Sequence, residues 1–173
     1  MKSYSVLLIV SIGLFLSSCS NVAYENAVPK NTAHFSIFPK EIQGGYIDSE
    51  GDTLTIYSNS YTYGTKGEIV YLTGEIGDEL VLKTLSGYYF LNFKNDEGYW
   101  EMIAAKPLGN ELTIYCIDAK DKDDIKIINS KIKKGKVKSS RKKGKYIINP
   151  EKSEILELLN DDDICEKSVL KKI

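Results

Sequence analysis

The sequence predicts a mainly β fold of the α+β class: an antiparallel meander forming a small barrel or sandwich, one helix after the meander and one near the C-terminus. Three observations predict it. From Gly44 to Ile117 short apolar runs alternate with Gly, Asn and Asp turns at the spacing of hairpins. Nine of the twelve tyrosines lie between Tyr46 and Tyr115, with Trp100 among them, which is the composition of aromatic-rich strands. After Asp118 the apolar spacing lengthens from two to three and four.

In chain order, Gly44-Gly45-Tyr46-Ile47 leads through Ser49-Glu50-Gly51-Asp52 into Thr53-Leu54-Thr55-Ile56-Tyr57, a hairpin whose Leu54 and Ile56 share a face. Tyr61 and Tyr63, Ile69 to Leu72, Leu80 to Leu85, Tyr88 to Phe93, Trp100 to Ala104 and Leu112 to Ile117 continue the strands. Asn95-Asp96-Glu97-Gly98 and Gly109-Asn110 mark turns, since these residue types tolerate positive φ. Alternation places Leu112, Ile114 and Cys116 on one face, so the cysteine points inward. Roughly seven or eight such strands bury an apolar face by pairing with a second sheet or by curling on themselves, and a small barrel is the simplest closure.

Asp121, Asp123 and Asp124 precede Ile125, Ile128 and Ile132, and Lys131, Lys133 and Lys134 come late; acid first and base last suits a helix dipole. Lys136 to Ser140 and Lys145 to Ile148 form a hairpin through Lys143-Gly144. Asn149 caps a second helix with Pro150 in its first turn and Ile155, Leu156, Leu158 and Leu159 on its apolar face. Val169-Leu170 and Ile173 close the chain as an edge strand.

The N-terminus has a different character. Lys2 precedes the apolar run Val6 to Leu16, the length of a signal-peptide core and too short to span a bilayer. The run ends in Leu16-Ser17-Ser18-Cys19, which resembles the bacterial lipobox. The resemblance implies cleavage before Cys19, a diacylglyceryl thioether on that residue and attachment to the membrane of the cell envelope. Ser20 resembles the outer-membrane sorting position of enteric bacteria, where aspartate retains a lipoprotein at the inner membrane. Residues 1–18 are thus expected to be a lipoprotein signal peptide, and residues 19–40, polar and holding Pro29 and Pro39, a lipidated N-terminus and flexible tether. Residues 41–173 are expected to be a single β-rich domain. Within the tether, Phe35, Ile37 and Phe38 are the first residues expected to dock on it.

Charge and chemistry narrow the function. The sequence carries 23 Lys+Arg against 24 Asp+Glu, a balance that argues against nucleic acid as principal partner. The single histidine, His34, has no companion for a nucleophilic triad or a zinc site, so neither a metal nor a cofactor is expected. Glu68, Glu75, Asp78, Glu79, Glu97 and Glu101 stand beside turns or on polar alternate positions, a solvated-edge pattern that leaves only a minor reading as a carboxylate-based glycan hydrolase. The domain is expected to be non-enzymatic.

Cys116 and Cys165 are either bridged, tying the C-terminal tail to the sheet, or two separate buried thiols. Lys131 to Lys145 holds nine basic residues and no acid. Lys133, Lys134, Arg141, Lys142 and Lys143 are its candidate anion-binding residues, to be weighed against a solvated hairpin balanced by acids on either side. Tyr57, Tyr61, Tyr63, Lys66, Tyr88 and Trp100 are the candidate ligand or partner surface, since aromatics on strands stack on sugars or line apolar cavities.

Two further resemblances bear on that surface. Gly44-Gly45-Tyr46 at the head of an up-and-down strand series looks like the lipocalin signature, with tyrosine where that family has tryptophan. It implies a barrel that holds a small apolar ligand without catalysis. Tyr61-Thr62-Tyr63-Gly64-Thr65-Lys66-Gly67 resembles the tyrosine, three residues, Thr-Lys-Gly motif of membrane-bound inhibitors of C-type lysozyme, and implies that Lys66 enters the lysozyme cleft. The second motif of that family has an approximate counterpart in Ser86-Gly87-Tyr88-Tyr89-Phe90, in the other chain order. The expectation is a lipid-anchored envelope lipoprotein, outer-membrane if the source is Gram-negative, whose β domain binds a small apolar or glycan ligand or an envelope protein.

Overall fold

The computed structural model of the chain describes residues 21 to 64, 71 to 132, 138 to 139 and 145 to 173. Its elements in order are β1 (Val22–Tyr24), β2 (His34–Phe35), β3 (Gly44–Ile47), β4 (Thr53–Ile56), β5 (Ser60–Tyr63), β6 (Leu72–Glu75), β7 (Leu80–Leu85), β8 (Tyr88–Lys94), β9 (Trp100–Leu108) and β10 (Glu111–Ile117). They continue as α1 (Lys122–Lys131), β11 (Lys138–Ser139), β12 (Tyr146–Ile148), α2 (Lys152–Leu159) and β13 (Cys165–Lys172).

The hairpins form where the turn chemistry puts them. β3 pairs β4 with Gly45 opposite Thr55, and β8 pairs β9 with Lys94 opposite Trp100 across a turn that closes on Gly98 at φ 83°. Two antiparallel meanders result, β3–β4–β5–β6 and β7–β8–β9–β10. They are not joined in chain order. β13, expected at an edge, inserts between them: Leu170 lies opposite Leu112, and Lys171 lies opposite Glu111 on one side and Ile47 on the other. An eight-residue strand with both edges paired buries more backbone than an edge position, and this one converts two meanders into a single curled antiparallel sheet, a half-barrel. The ends of that curl, β6 and β7, are joined by only Ile76 to Glu79.

The half-barrel has two apolar faces. On the outer face of β8, β9 and β10, Tyr88, Phe90, Met102, Ala104 and Ile117 pack against β1, β12 and the two helices, with Ile128, Ile155, Leu158 and Leu159 at most 1% exposed. On the inner face, Phe38, Ile42, Tyr46, Ile56, Leu82, Leu112 and Leu170 form a second cluster at the base of the curl. α1 begins as its charge order implies, with the Asp121 side chain accepting from the Asp123 and Asp124 amides and Asp124 returning a bond to the cap. α2 starts later than Asn149. Its cap is Glu151 with Glu154 reaching back to it, while the Asn149 side chain is turned to Glu25 and Asn26.

The segment expected to be a tether is instead part of the core from residue 22 onward. Val22, Ala23 and Tyr24 are at most 1% exposed and pair with Tyr146, Ile147 and Ile148 in parallel. Beyond them the buried amide of Asn92 grips Val28, accepting from its N–H at 2.7 Å and donating to its carbonyl at 2.8 Å. Lys83 donates to the carbonyls of Ala27 and Pro29. His34 pairs in β2 with Lys83, and Phe38 is buried under the curl. Short polar stretches read as linker when their few apolar residues are scattered, yet three consecutive apolar residues filling the gap between β9 and β12 supply a strand.

Neither expectation for Cys116 and Cys165 holds: Cys116 is disulfide-bonded, but not to Cys165. Cys165 is a buried free thiol. In the β10–β13 register Cys116 lies opposite Glu166 and Ile117 opposite Cys165, so the two sulfurs are one residue out of step and face opposite sides of the sheet. Burial pushes the Cys165 thiol up to about 11. At neutral pH its thiolate is scarce, and the expected result is that iodoacetamide modifies Cys165 only on unfolding, followed by peptide mass spectrometry. Rapid labelling in native buffer would contradict the burial.

Candidate functional site

The inner face of the half-barrel encloses a cavity of about 700 Å³ above its apolar base. Strand alternation supplies the walls: Leu54 and Ile56 from β4, Tyr61 and Tyr63 from β5, Leu91 and Phe93 from β8, Ile103 and Ala105 from β9, and Ile114 and Cys116 from β10. Phe38 and Ile42 close the floor and are 1% exposed, whereas Leu54, Leu91, Ile103 and Ile114 on the same face are only half-buried. Apolar side chains on the central strands of a sheet are buried when a core is filled; here they open onto the cavity. The volume falls within the range of about 300 to 1,000 Å³ usual for small-ligand pockets.

Two contacts fix the shape of the cavity. Tyr61 and Phe93 meet edge to face at 6.3 Å, linking the two meanders across the interior. Gly74 on β6 lets that wall close: a Cβ there would stand 2.5 Å from the Tyr61 ring and 3.1 Å from Leu80. The rim is polar. Asp48 accepts from the Tyr63 hydroxyl at 2.6 Å and from the amides of Glu50 and Asp52, which holds the β3–β4 loop beside the opening. Glu101 is ion-paired with Lys145, and Glu166 with Lys120.

Burial, then the bond to Asp48, holds the Tyr63 phenol well above its ordinary value; burial and the bond to Glu41 push Tyr89 up to about 12. Burial likewise raises Tyr24, Tyr46 and Tyr61. Each raised phenol means that above about pH 10 the folded chain holds protons the unfolded chain releases, so stability present below that pH is lost as pH rises towards 12. An alkaline spectrophotometric titration is expected to show tyrosine ionisation coinciding with loss of the near-ultraviolet dichroism. Complete ionisation near pH 10 of a still-folded protein would contradict this arrangement.

Of the candidate ligand surface, Tyr61 and Tyr63 come together on the cavity wall. Tyr57 lies outside it at the β4–β5 turn, half exposed. Tyr88 is buried on the outer face with Lys106 over its ring at 4.5 Å, and Trp100 packs beside the same outer core. Cys19, Lys66 and Glu68 lie outside the described residues, as do Lys133, Lys134, Arg141, Lys142 and Lys143. Of the other acids considered, Glu75 accepts from Asn59, Asp78, Glu79 and Glu97 are exposed, and Glu101 alone lines the cavity. The residues that sequence reasoning passed over are the aliphatic ones, Leu54, Leu91, Ile103 and Ile114. Their alternation was visible, but nothing local distinguishes a side chain that fills a core from one that borders a void.

Among the described residues no cluster of His, Cys, Asp and Glu has the arrangement of a metal site, and no helix is long and apolar enough to cross a membrane. No protein-family model, curated protein or solved structure matches the chain.

Proposed function

We propose that this chain is a non-enzymatic, lipid-anchored lipoprotein of the cell envelope whose half-barrel holds a small apolar ligand, in the manner of a lipocalin. The observation that carries the reading is the cavity of about 700 Å³, bordered by half-buried aliphatic side chains and closed below by a packed floor. Each methylene transferred into such a space contributes about 0.8 kcal/mol, so a ligand of modest size gains useful affinity without a charged contact. Attachment to the membrane rests on Leu16-Ser17-Ser18-Cys19. An outer-membrane placement rests on Ser20.

Neither minor reading gains support. Of the lysozyme-inhibitor motif, Tyr61 and Tyr63 line the cavity, and Lys66 lies outside the described residues. Hydrolysis needs two acids free to act, and the two on the cavity rim opposite the β3–β4 loop, Glu101 and Glu166, are each engaged by a lysine.

Ile103→Trp tests the proposal, since Ile103 lines the cavity and a larger side chain there takes up part of its volume. Binding of a fluorescent fatty acid is expected to weaken at least about tenfold, 1.4 kcal/mol, with the unfolding midpoint unchanged or raised. Absence of probe binding by the wild-type protein, or equal binding by the variant, removes the cavity from the account.

A further inference from the structure

We infer that the ligand is an amphiphile whose polar end is a cation, an alkylammonium or quaternary ammonium group, because acids line the mouth of the cavity and the lysine among its lining residues is turned away. This rests on the proposed function and names the class of its ligand. The charged lining residues stand at one end: Asp48 and Glu50 in the β3–β4 loop, Glu101 at the start of β9, and Glu166 and Lys167 at the start of β13. That end is the open one, since Glu50, Glu166 and Lys167 are exposed while Phe38, Ile42, Leu112 and Leu170 at the other are buried. Four acids and one base make an unequal ring, and the base does not face inward. The β10–β13 register sets Lys167 opposite Tyr115, which packs on the outer core. There its Nζ stands 5.9 Å from the Tyr115 ring centroid and is bonded to Asp162.

Only two of the four acids are neutralised. Lys145 pairs with Glu101 and Lys120 with Glu166. Among the described residues no basic side chain pairs with Asp48, with Glu50 or with Asp52 beside them. Asp48 is fixed in place: the Tyr63 hydroxyl donates to it at 2.6 Å, and the amides of Glu50 and Asp52 each at 2.9 Å. These donors satisfy its oxygens without bringing a positive charge, so the mouth stays negative. Tyr63 responds to that field. Burial and then the bond to Asp48 raise its phenol, and the charges of Asp48, Asp52 and Glu50 raise it further. A cation whose tail lies in the cavity meets Asp48 and Glu50 together with the ring of Tyr63, and an aromatic face attracts a cation through its quadrupole. A carboxylate on the same tail meets like charge instead, which disfavours it. The aliphatic walls hold either tail alike, so the head group decides between them.

The test compares three ten-carbon ligands by isothermal titration calorimetry on the full chain: decyltrimethylammonium, decanol and decanoate. The cation is expected to bind tightest and the carboxylate weakest, with at least about tenfold between them at low salt, 1.4 kcal/mol. At about 1 M salt, where the Debye length is about 3 Å, that ratio is expected to fall below about threefold. Glu50→Gln removes an exposed charge and is expected to narrow the low-salt ratio at least about twofold. The readout is the ratio, so a loss of affinity shared by all three ligands does not enter it. Decanoate binding as tightly as the cation, or a ratio that neither salt nor Glu50→Gln reduces, overturns the inference. The apolar-ligand reading survives that result if any of the three binds and Ile103→Trp weakens it. If none of the three binds, both fall.

Discussion

Replacing Asn92 by leucine is expected to destabilise the domain by about 2 to 6 kcal/mol, because each of two buried backbone groups left without a partner costs about 1 to 3 kcal/mol. Those groups are the N–H and carbonyl of Val28, which Asn92 satisfies at 2.7 and 2.8 Å with its side chain 0% exposed. The same amide also donates towards the Val81 and Phe90 carbonyls, at 3.3 and 3.2 Å. Leucine has the same branched skeleton but is larger, so in this fully buried position overpacking adds to the cost of the unpaired polar groups. Against a total stability of about 5 to 15 kcal/mol the loss is large. Urea unfolding should show a lower midpoint at unchanged slope, and hydrogen exchange should show the Val28 amide losing protection first. A midpoint within error of wild type would mean that the contact contributes nothing.

Cys19→Ala is expected to move the protein from the membrane fraction to the soluble fraction and to abolish lipid-dependent processing. Two or more acyl chains hold a protein on a bilayer almost permanently, whereas the remaining domain has no comparable attachment among its described residues: no helix there can cross a membrane. The direct measurement is mass spectrometry of the mature N-terminus, with a diacylglyceryl mass on Cys19. Cys116 is disulfide-bonded and Cys165 is a free thiol, so lipidation requires the Cys19 sulfur to be free of any bond to Cys116. Recovery of Cys19 unmodified, or in a disulfide with Cys116, would end the lipoprotein reading. The same variant should still bind the fluorescent fatty acid, since the cavity is built from β4 to β13.

What the sequence by itself determined is local. The turn at Asn95 to Gly98, the hairpin from Gly44 to Ile56 and the acid-capped helix beginning at Lys122 each follow from residues within a few positions of one another, where backbone preference and side-chain capping act. The inward face of Leu112, Ile114 and Cys116 was legible for the same reason, since alternation in a strand is a property of the strand alone.

What only the tertiary structure decided is long-range. β13 reads as an edge strand because its tail is short, charged and terminal; its place between β10 and β3 depends on two meanders that each lack a partner at that edge. Val22 to Tyr24 read as linker because a strand of three residues is held by its neighbours rather than by its own propensity. The separation of Cys116 from Cys165 required the register between strands distant in sequence, which a shift of one residue reverses. The cavity is the same case at larger scale: a void is the volume left by side chains from seven strands, and no single segment encodes it. Local physics chose the strands and their inward faces, while the closure of distant edges decided which of those faces are filled and which remain open.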